Sequence, residues 1–237
     1  KKPVRVIATQ PNAVASRLVQ EFIRIRPNRE KDRMAILTSL LARNFKTRTI
    51  VFFDTKVLAH RAYLTLGLLG ISSAELHGNL AMTQRLEALD RFKAGEVQVL
   101  LATDLASRGL DISAVKTVIN YQMPRTRDAY IHRVGRTARA GCAGHSVTMV
   151  GQDRRLIFKQ VLKVQAKNAE IRTRSVPQSV VDHFINELYM VQREVEQLIK
   201  EESVEKELRL AERDTTKVDN MIKFYEEIHS RPAREWH

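Results

Sequence analysis

Short apolar runs alternate with segments of helical periodicity along most of the chain. Runs rich in β-branched and aromatic residues predict buried strands, and apolar residues three and four apart predict helices. The predicted strands cover residues 18–25, 49–53, 71–76, 97–102, 115–121 and 145–150. The predicted helices cover residues 30–43, 56–69, a segment through Leu86, Leu89 and Phe92 that ends at Gly95, and 153–165. This alternation favours an α/β fold in which helices pack on the faces of a parallel sheet.

The two ends of the chain have a different character. Residues 3–7 predict one short strand, and the polar residues that follow it to Ser16 predict a linker. No internal repeat or low-complexity tract occurs. We therefore expect a linker segment at residues 1–17, an α/β domain at 18–170 and a helical extension at 171–237.

The extension is predicted to contain two helices. Ser179 and Asp182, after Pro177, have the spacing of a capping box at the start of a long helix, and Thr216 and Asp219 suggest a second start. A narrow apolar stripe runs along the first helix through Phe184, Leu188, Val191, Val195 and Leu198. Docking of this stripe within the chain is favoured over a coiled coil with a partner protein, because the stripe lasts only about two heptads.

Charge is distributed unevenly along the 237 residues, whose net charge is +13. Residues 1–150 carry 24 Lys and Arg against 11 Asp and Glu, whereas residues 151–237 carry 16 of each. A basic surplus confined to one part of the chain is typical of nucleic-acid binding. No apolar run approaches the roughly 18 residues of a membrane span. The single cysteine, Cys142, has no metal-ligand partners nearby, fits a reducing compartment and is expected to be a buried or partly buried filler.

The segment 130–141, with the sequence YIHRVGRTARAG, contains the densest group of arginines. If it is a helix, Arg133, Arg136 and Arg139 follow one another at i, i+3 spacing and form one cationic ridge. Guanidinium groups suit phosphate oxygens, and Gly135 would let a ligand or a backbone approach. A solvated basic face is the equally simple alternative.

Three polar segments follow predicted strands, where parallel sheets bind ligands. Thr55 could donate its hydroxyl to a phosphate, but by spacing it more readily caps the helix at Lys56. Gly78 could let a nucleic-acid backbone come close, and Arg85 could hold a phosphate. The alternative is that Gly78 is a structural turn glycine and Arg85 is a solvated arginine. The segment 102–112, ATDLASRGLDI, has too many polar residues for a core and fits a functional loop better than an ordinary turn.

These segments together resemble the motifs of the DEAD-box RNA helicases, over roughly residues 18–165. The sequence HRVGRTAR from His132 is similar to motif VI of that family, and residues 102–112 are similar to motif V. The resemblance implies a RecA-like fold, a parallel sheet sandwiched by helices. This sequence departs from the usual family pattern at Met82, Ser107, Gln122 and Ala138, which leaves every arginine in place.

The resemblance also implies roles for individual residues. Arg136 and Arg139 would be the catalytic arginine fingers that reach the ATP γ-phosphate, and Gly109 and Asp111 would lie near the ATP ribose. RNA-backbone contacts would come from Thr55, Gly78, Arg85 and Thr103. Arg108 and His132 would couple the RNA and ATP sites, although a lone histidine on a helix is more commonly a hydrogen-bonded structural residue. No residue is expected to bind a metal.

The chain contains neither a Gly-x-x-x-x-Gly-Lys-Ser/Thr loop nor an Asp-Glu-Ala-Asp stretch. We therefore expect one half of an ATPase that is inactive alone and needs a preceding RecA-like domain, which would bind most of the ATP and Mg²⁺. Residues 1–17 would then be the end of that domain and the linker, which would make the chain truncated at its N-terminus. Two alternatives remain open, a non-catalytic RNA-binding module and a protein-interaction scaffold on the C-terminal helices.

Within the family, the sequence resembles the nucleolar proteins of large-ribosomal-subunit assembly. It rests on residues 76–92, residues 132–141 and the tail from Val176 to Trp236. It implies pre-ribosomal RNA as substrate, ribosome-assembly proteins as partners of the helical extension, and a nucleolar location without membrane attachment.

Overall fold

A computed structural model describes residues 17–104, 112, 115–138, 142–165 and 170–225. Within these residues seven parallel strands form one sheet in the order β3-β4-β2-β5-β6-β1-β7. The strands are β1 Leu18–Arg24, β2 Thr49–Phe53, β3 Ser73–Leu76, β4 Val99–Thr103, β5 Thr117–Asn120, β6 Gly144–Val150 and β7 Glu170–Thr173. The predicted parallel α/β fold is confirmed.

Among the described residues, six α-helices connect and follow the strands. They are α1 Arg33–Arg43, α2 Lys56–Leu68, α3 Met82–Ala94, α4 Arg127–Val134, α5 Arg155–Gln165 and α6 Gln178–Lys223. Short 3-10 turns at Pro27–Asp32 and Gln152–Arg154 precede α1 and α5. Among the helices that the structure describes, none combines the length and the apolarity needed to cross a membrane.

The central strand β2 shows why the sheet is covered on both sides. Its five residues, TIVFF, are all buried, as is typical of a parallel strand with helices on both faces. Val51 and Phe53 pack with Leu37 and Leu40 of α1 on one face. The alternate residues Ile50 and Phe52 pack on the other face with apolar residues of α3, among them Leu89 and Phe92.

Local signals set the helix ends that the sequence predicted well. Gly95 ends α3 in the left-handed conformation, with φ +83°, which costs glycine little because it has no Cβ. Gln84 begins the same helix by accepting a hydrogen bond from the Ala81 N–H at 2.9 Å. The prediction of a helix that stops at Gly95 is thus confirmed.

Strand β7 was missed in the sequence, and its character explains why. Its four residues are EIRT, of which only Ile171 is even partly buried, so it lacks an apolar run. It pairs with β1 at the edge of the sheet, and Arg174 just beyond it donates two hydrogen bonds to the Glu21 carboxylate, at 2.7 and 3.1 Å.

The C-terminal helix α6 corrects two predictions about the extension. It begins at Gln178, before the predicted cap Ser179, and continues without a second start at Thr216. The Thr216 hydroxyl donates to the carbonyl of Glu212, one turn earlier, at 2.8 Å, so that this hydroxyl is satisfied inside the helix. The surrounding Glu, Lys, Leu and Arg are strong helix formers and favour continuation.

The chain divides into two compact units, residues 1–192 and 193–237. In the first unit Val181 is buried in the core, and Phe184 and Leu188 pack against it, so docking is confirmed for this part of the predicted stripe. In the second unit residues 201–225 are exposed.

Cys142 is exposed, which corrects the prediction of a buried or partly buried filler. It lies in the connection before β6 rather than within a helix or strand.

Candidate functional site

Polar side chains collect at the carboxyl ends of the central strands. Asp54 follows β2, Asp104 follows β4 and Gln122 follows β5, and these three strands are neighbours in the sheet. Helix α4 adds Arg133 to the same edge. Because the strands are parallel, all of these groups lie at one end of the sheet, where α/β proteins bind ligands.

Arg133 is the most buried charged side chain of this edge, with 3% of it exposed. Its Nε and Nη2 donate to the two carboxylate oxygens of Asp104 at 2.6 and 2.8 Å, a bidentate pair. Its Nη1 lies 3.3 Å from both the Asn120 Oδ1 and the Gln122 carbonyl oxygen. The guanidinium also lies over the ring of Phe52, 5.3 Å from its centroid. Arg133 therefore holds the ends of three strands against α4.

This geometry corrects the predicted cationic ridge. Helix α4 ends at Val134, so Arg133 and Arg136 do not lie on successive turns of one helix. Arg133 points into the protein and is occupied by carboxylates and carbonyls, whereas Arg136 lies in the turn after the helix and is half-buried. Arg139 lies outside the residues that the structure describes.

Asp54 links a second arginine to the first. Arg154 donates from Nη2 to Asp54 Oδ2 at 2.7 Å and from Nη1 to the Met123 carbonyl oxygen at 2.7 Å. The other oxygen of Asp54 lies 3.5 Å from Nη2 of Arg133. A chain of alternating charges thus runs along the sheet edge, in which each buried cation has an anionic partner.

Arg33, which the sequence analysis did not single out, has a similar role beside it. Its Nη1 donates to the Tyr121 carbonyl oxygen at 2.7 Å, and its Nε and Nη2 pair with Glu30. A Cβ on Gly151 would approach Arg33 Nη2 to 3.0 Å and Glu30 Oε1 to 2.7 Å, so a larger residue there would displace the ends of this pair. Burial raises the pKa of Tyr121 to about 12, although the charge of Arg33 opposes this shift. The raised pKa keeps the Tyr121 phenol protonated. The sequence did contain a signal for the role of Arg33, because this arginine stands at the start of an otherwise largely apolar helix.

Arg136 lines a cavity of about 300 Å³ beside this network. His132, Asp104 and Arg133 are among the other lining residues, and His132 is exposed. Gly135, between the two arginines, would bring a Cβ to 3.0 Å from the Ile131 carbonyl oxygen. The sequence predicted a ligand or a backbone close to Gly135. The structure shows that the neighbour is the backbone of the preceding helix α4.

The turn continues through two residues that fix its path. The Thr137 hydroxyl lies 2.9 Å from the carbonyl oxygens of Val115 and Lys116, just before β5. Ala138 has φ +55°, in the left-handed region that costs a residue with a Cβ about 1–2 kcal/mol. This conformation gives a physical reason for the glycine that is more usual at this position in the proteins that the sequence resembles.

The residues predicted to contact nucleic acid lie toward the β3 side of the same edge. Thr55 caps α2, since its Oγ1 accepts a hydrogen bond from the Leu58 N–H at 3.2 Å, as the spacing predicted. Thr103 is the last residue of β4, directly beside Phe53 of β2, and is half-buried. Thr103 thus lies at the end of β4, and Thr55 lies two residues beyond the end of the neighbouring strand β2.

Gly78 lies in the turn between β3 and α3, and Arg85, in the first turn of α3, binds that turn. Arg85 donates from Nη2 to the Gly78 carbonyl oxygen at 3.1 Å and from Nε to the Leu80 carbonyl oxygen at 3.0 Å. Lys56, next to Thr55, donates to Asn79 Oδ1 at 2.8 Å and ties this turn to the start of α2. The structure therefore brings Thr55, Gly78 and Arg85 together. Arg108, Gly109 and Asp111 lie outside the described residues.

The family model of the helicase conserved C-terminal domain matches residues 32–141 of this chain. Among curated relatives, the ATP-dependent RNA helicase drs1 of Aspergillus clavatus is 43% identical over 236 residues, which is 99% of this chain and 29% of the relative. The DRS1 helicase of Coccidioides immitis is 44% identical over 236 residues. That match covers 99% of this chain and 28% of the relative. The chain thus spans less than a third of the length of these relatives.

Solved structures give the same result. The Escherichia coli DEAD-box protein SrmB, in a complex with regulator of ribonuclease activity A, is 35% identical with a TM-score of 0.61. That match covers 69% of this chain and 93% of the SrmB chain. Saccharomyces cerevisiae Dbp5, bound to RNA and ADP BeF3, is 28% identical with a TM-score of 0.62, and the match covers 76% of this chain and 48% of Dbp5.

The Arg133 network predicts a large loss of stability when its cation is removed. Arg133→Met would leave Asp104 and Asp54 without their shared partner, and we expect it to lower the free energy of unfolding by about 3–5 kcal/mol. Arg127→Met is the matched control on the same helix, because Arg127 forms a more exposed pair with Asp128 at 3.4 Å. It should cost no more than about 1 kcal/mol. Urea unfolding followed by circular dichroism measures both, and equal losses would contradict the role assigned to Arg133.

Proposed function

The chain belongs to the DEAD-box family of RNA helicases, as a C-terminal helicase domain, and we propose that it supplies Arg136 to the hydrolysis of ATP by the complete protein. The observation that carries the proposal is the separation of the two arginines around Gly135. Arg133 binds carboxylate and carbonyl oxygens at the ends of the strands, and Arg136, in the turn that follows, lines a cavity at the carboxyl end of the sheet. A guanidinium held there can neutralise charge that develops on a transferred phosphoryl group.

Arg136 would act from a rigid base. Its turn is anchored by the hydrogen bond from its N–H to the Arg133 carbonyl oxygen at 3.0 Å and by the contacts of Thr137. Rigid positioning matters because an arginine finger helps only if it meets the transferring phosphoryl group without further rearrangement. We assign Arg139 the same task, Gly109 and Asp111 the ATP ribose, and Arg108 together with His132 the coupling of the two sites.

The phosphate groups of ATP also require a cation, which Mg²⁺ supplies in this reaction class. Both carboxylates in the described lining of the cavity have arginine partners. Asp104 is bound on both oxygens by Arg133, and Asp128 lies 3.4 Å from Arg127, so they fit arginine better than a metal ion. We therefore assign Mg²⁺ and most of the ATP contacts to a preceding RecA-like domain. On this proposal the present chain is inactive by itself.

We assign RNA to the other part of the edge, where Thr55, Gly78, Arg85 and Thr103 lie. Hydroxyl groups and exposed backbone suit the sugar-phosphate backbone of RNA, which implies binding with little sequence preference and a strong dependence on salt. Arg85 would act indirectly, since its guanidinium holds the carbonyl groups of the turn that contains Gly78.

The biological setting that fits the drs1 relatives is assembly of the large ribosomal subunit. We propose pre-ribosomal RNA as the substrate, a nucleolar location, and ribosome-assembly proteins as partners of the exposed part of α6. The support is the identity of more than 40% to these helicases along nearly the whole chain.

The role of Arg136 predicts a specific kinetic defect. In the full-length protein, Arg136→Ala should lower the RNA-stimulated turnover of ATP by about 10³-fold, because an arginine finger contributes 10³–10⁵ in rate. Arg209→Ala, which removes an exposed arginine from α6, should leave turnover unchanged. Steady-state hydrolysis with saturating RNA measures both, and circular dichroism checks that both variants fold. Wild-type turnover in Arg136→Ala would contradict the proposal.

The role of Thr55 can be separated from its capping function by a matched pair of variants. Thr55 caps α2 and Thr126 caps α4 with the same geometry, each accepting from the N–H three residues later at 3.2 and 3.1 Å. Replacement of either by Ala should cost about 1 kcal/mol of stability. Only Thr55→Ala should also weaken binding of single-stranded RNA, measured by fluorescence anisotropy. Equal RNA affinities in the two variants would remove Thr55 from the RNA site.

A further inference from the structure

Two histidines and a glutamate converge at the edge of the sheet, away from the Arg133 network. His60 lies on α2, Glu75 on β3, and His77 directly after β3. The period of two along a strand places Glu75 and His77 on the same face, the face that α2 covers. The fold therefore brings these three side chains to one point, although their spacing in the sequence does not indicate a site.

The distances between their polar atoms are short. His60 Nδ1 lies 3.1 Å from Glu75 Oε1, and His77 Nε2 lies 3.3 Å from the same oxygen. One possible ligand atom from each of the three residues lies within 4.8 Å of the other two. Ligands placed about 2.0–2.2 Å from a tetrahedral Zn²⁺ are roughly 3.3–3.5 Å apart, so small adjustments would suffice to admit the ion.

The surroundings favour a fixed site. The side chains of Glu75 and His77 are only 11% and 8% exposed, whereas that of His60 is 30% exposed and gives access from solvent. His77 Nδ1 is buried and has no hydrogen-bond partner among the described residues, which leaves Nε2 as the polar atom that orients the ring.

We propose that His60, Glu75 and His77 form a Zn²⁺ site, with water as the fourth ligand. Two imidazoles and one carboxylate are a donor set that suits Zn²⁺, whereas Mg²⁺ prefers oxygen ligands alone. The ion links the edge strand β3 to α2, and through His77 it fixes the start of the turn that contains Gly78. Its role is that of a clamp on this edge of the sheet. The site stands on this geometry alone and does not depend on the reaction proposed above.

The test is direct measurement of Zn²⁺ affinity by competition with a chromophoric chelator. The protein carries no affinity tag, and the exposed Cys142 is replaced by Ser so that its thiol does not bind the ion. One equivalent of Zn²⁺ should bind and should raise the midpoint of thermal unfolding, and the same concentration of Mg²⁺ should do neither. Co²⁺ in the same site should give the visible absorption of a tetrahedral complex.

Three variants decide the ligand set. Glu75→Gln and His60→Gln should each weaken Zn²⁺ binding by more than about 100-fold, the upper range for loss of a mere outer-shell partner. His183→Gln, in an exposed histidine of α6, should bind as the parent does. His60 is partly exposed, so its variant decides the question if Glu75→Gln does not fold. Absence of Zn²⁺ binding in the parent, or unchanged affinity in a folded His60→Gln variant, would overturn the proposal and leave a hydrogen-bonded cluster only.

Discussion

A single buried guanidinium, that of Arg133, organises the carboxyl edge of the sheet. Placing a cation in the interior costs several kcal/mol unless anions and hydrogen-bond acceptors surround it. Here Asp104, Asp54 and the acceptors after β5 meet that requirement, and the ring of Phe52 covers one face. The contact fixes the orientation of α4 relative to three strands. The position of Arg136 in the following turn, and hence its access to the cavity, depends on that orientation.

The arginines of this domain divide into structural and surface roles that a count of charge does not distinguish. Arg33 and Arg133 donate to backbone carbonyls and carboxylates at the ends of the strands, and Arg85 donates to the carbonyls of the turn before α3. The basic surplus of residues 1–150 therefore overstates the charge available to bind RNA. Planar guanidinium groups suit both tasks, because they can satisfy several acceptors in a partly dry environment. On the role proposed for Arg136, phosphate recognition and folding use the same guanidinium chemistry three residues apart.

The sequence predicted the sheet well because its central strands carry the clearest signals. The runs TIVFF and VLLAT are buried on both faces and were found, whereas the polar edge strand EIRT was not. The predicted arginine ridge was wrong because helix periodicity was extended past Val134, where Gly135 and the left-handed Ala138 change the path. Thr55, Gly78 and Arg85 were expected at one edge of the sheet because each belongs to a segment that follows a predicted strand. The cluster of His60, Glu75 and His77 could not be foreseen, since only the packing of α2 on β3 brings its members together.

The central claim is that Arg133 and Asp104 are strongly coupled although Asp104 is partly exposed, with 39% of its side chain accessible. A double-mutant cycle on the free energy of unfolding, with Arg133→Ala, Asp104→Ala and the double variant, measures that coupling directly. A bidentate pair with one buried partner, held within a network, should give about 1.5 kcal/mol or more. A coupling below about 0.5 kcal/mol, as in an exposed ion pair, would contradict the claim that this contact organises the edge.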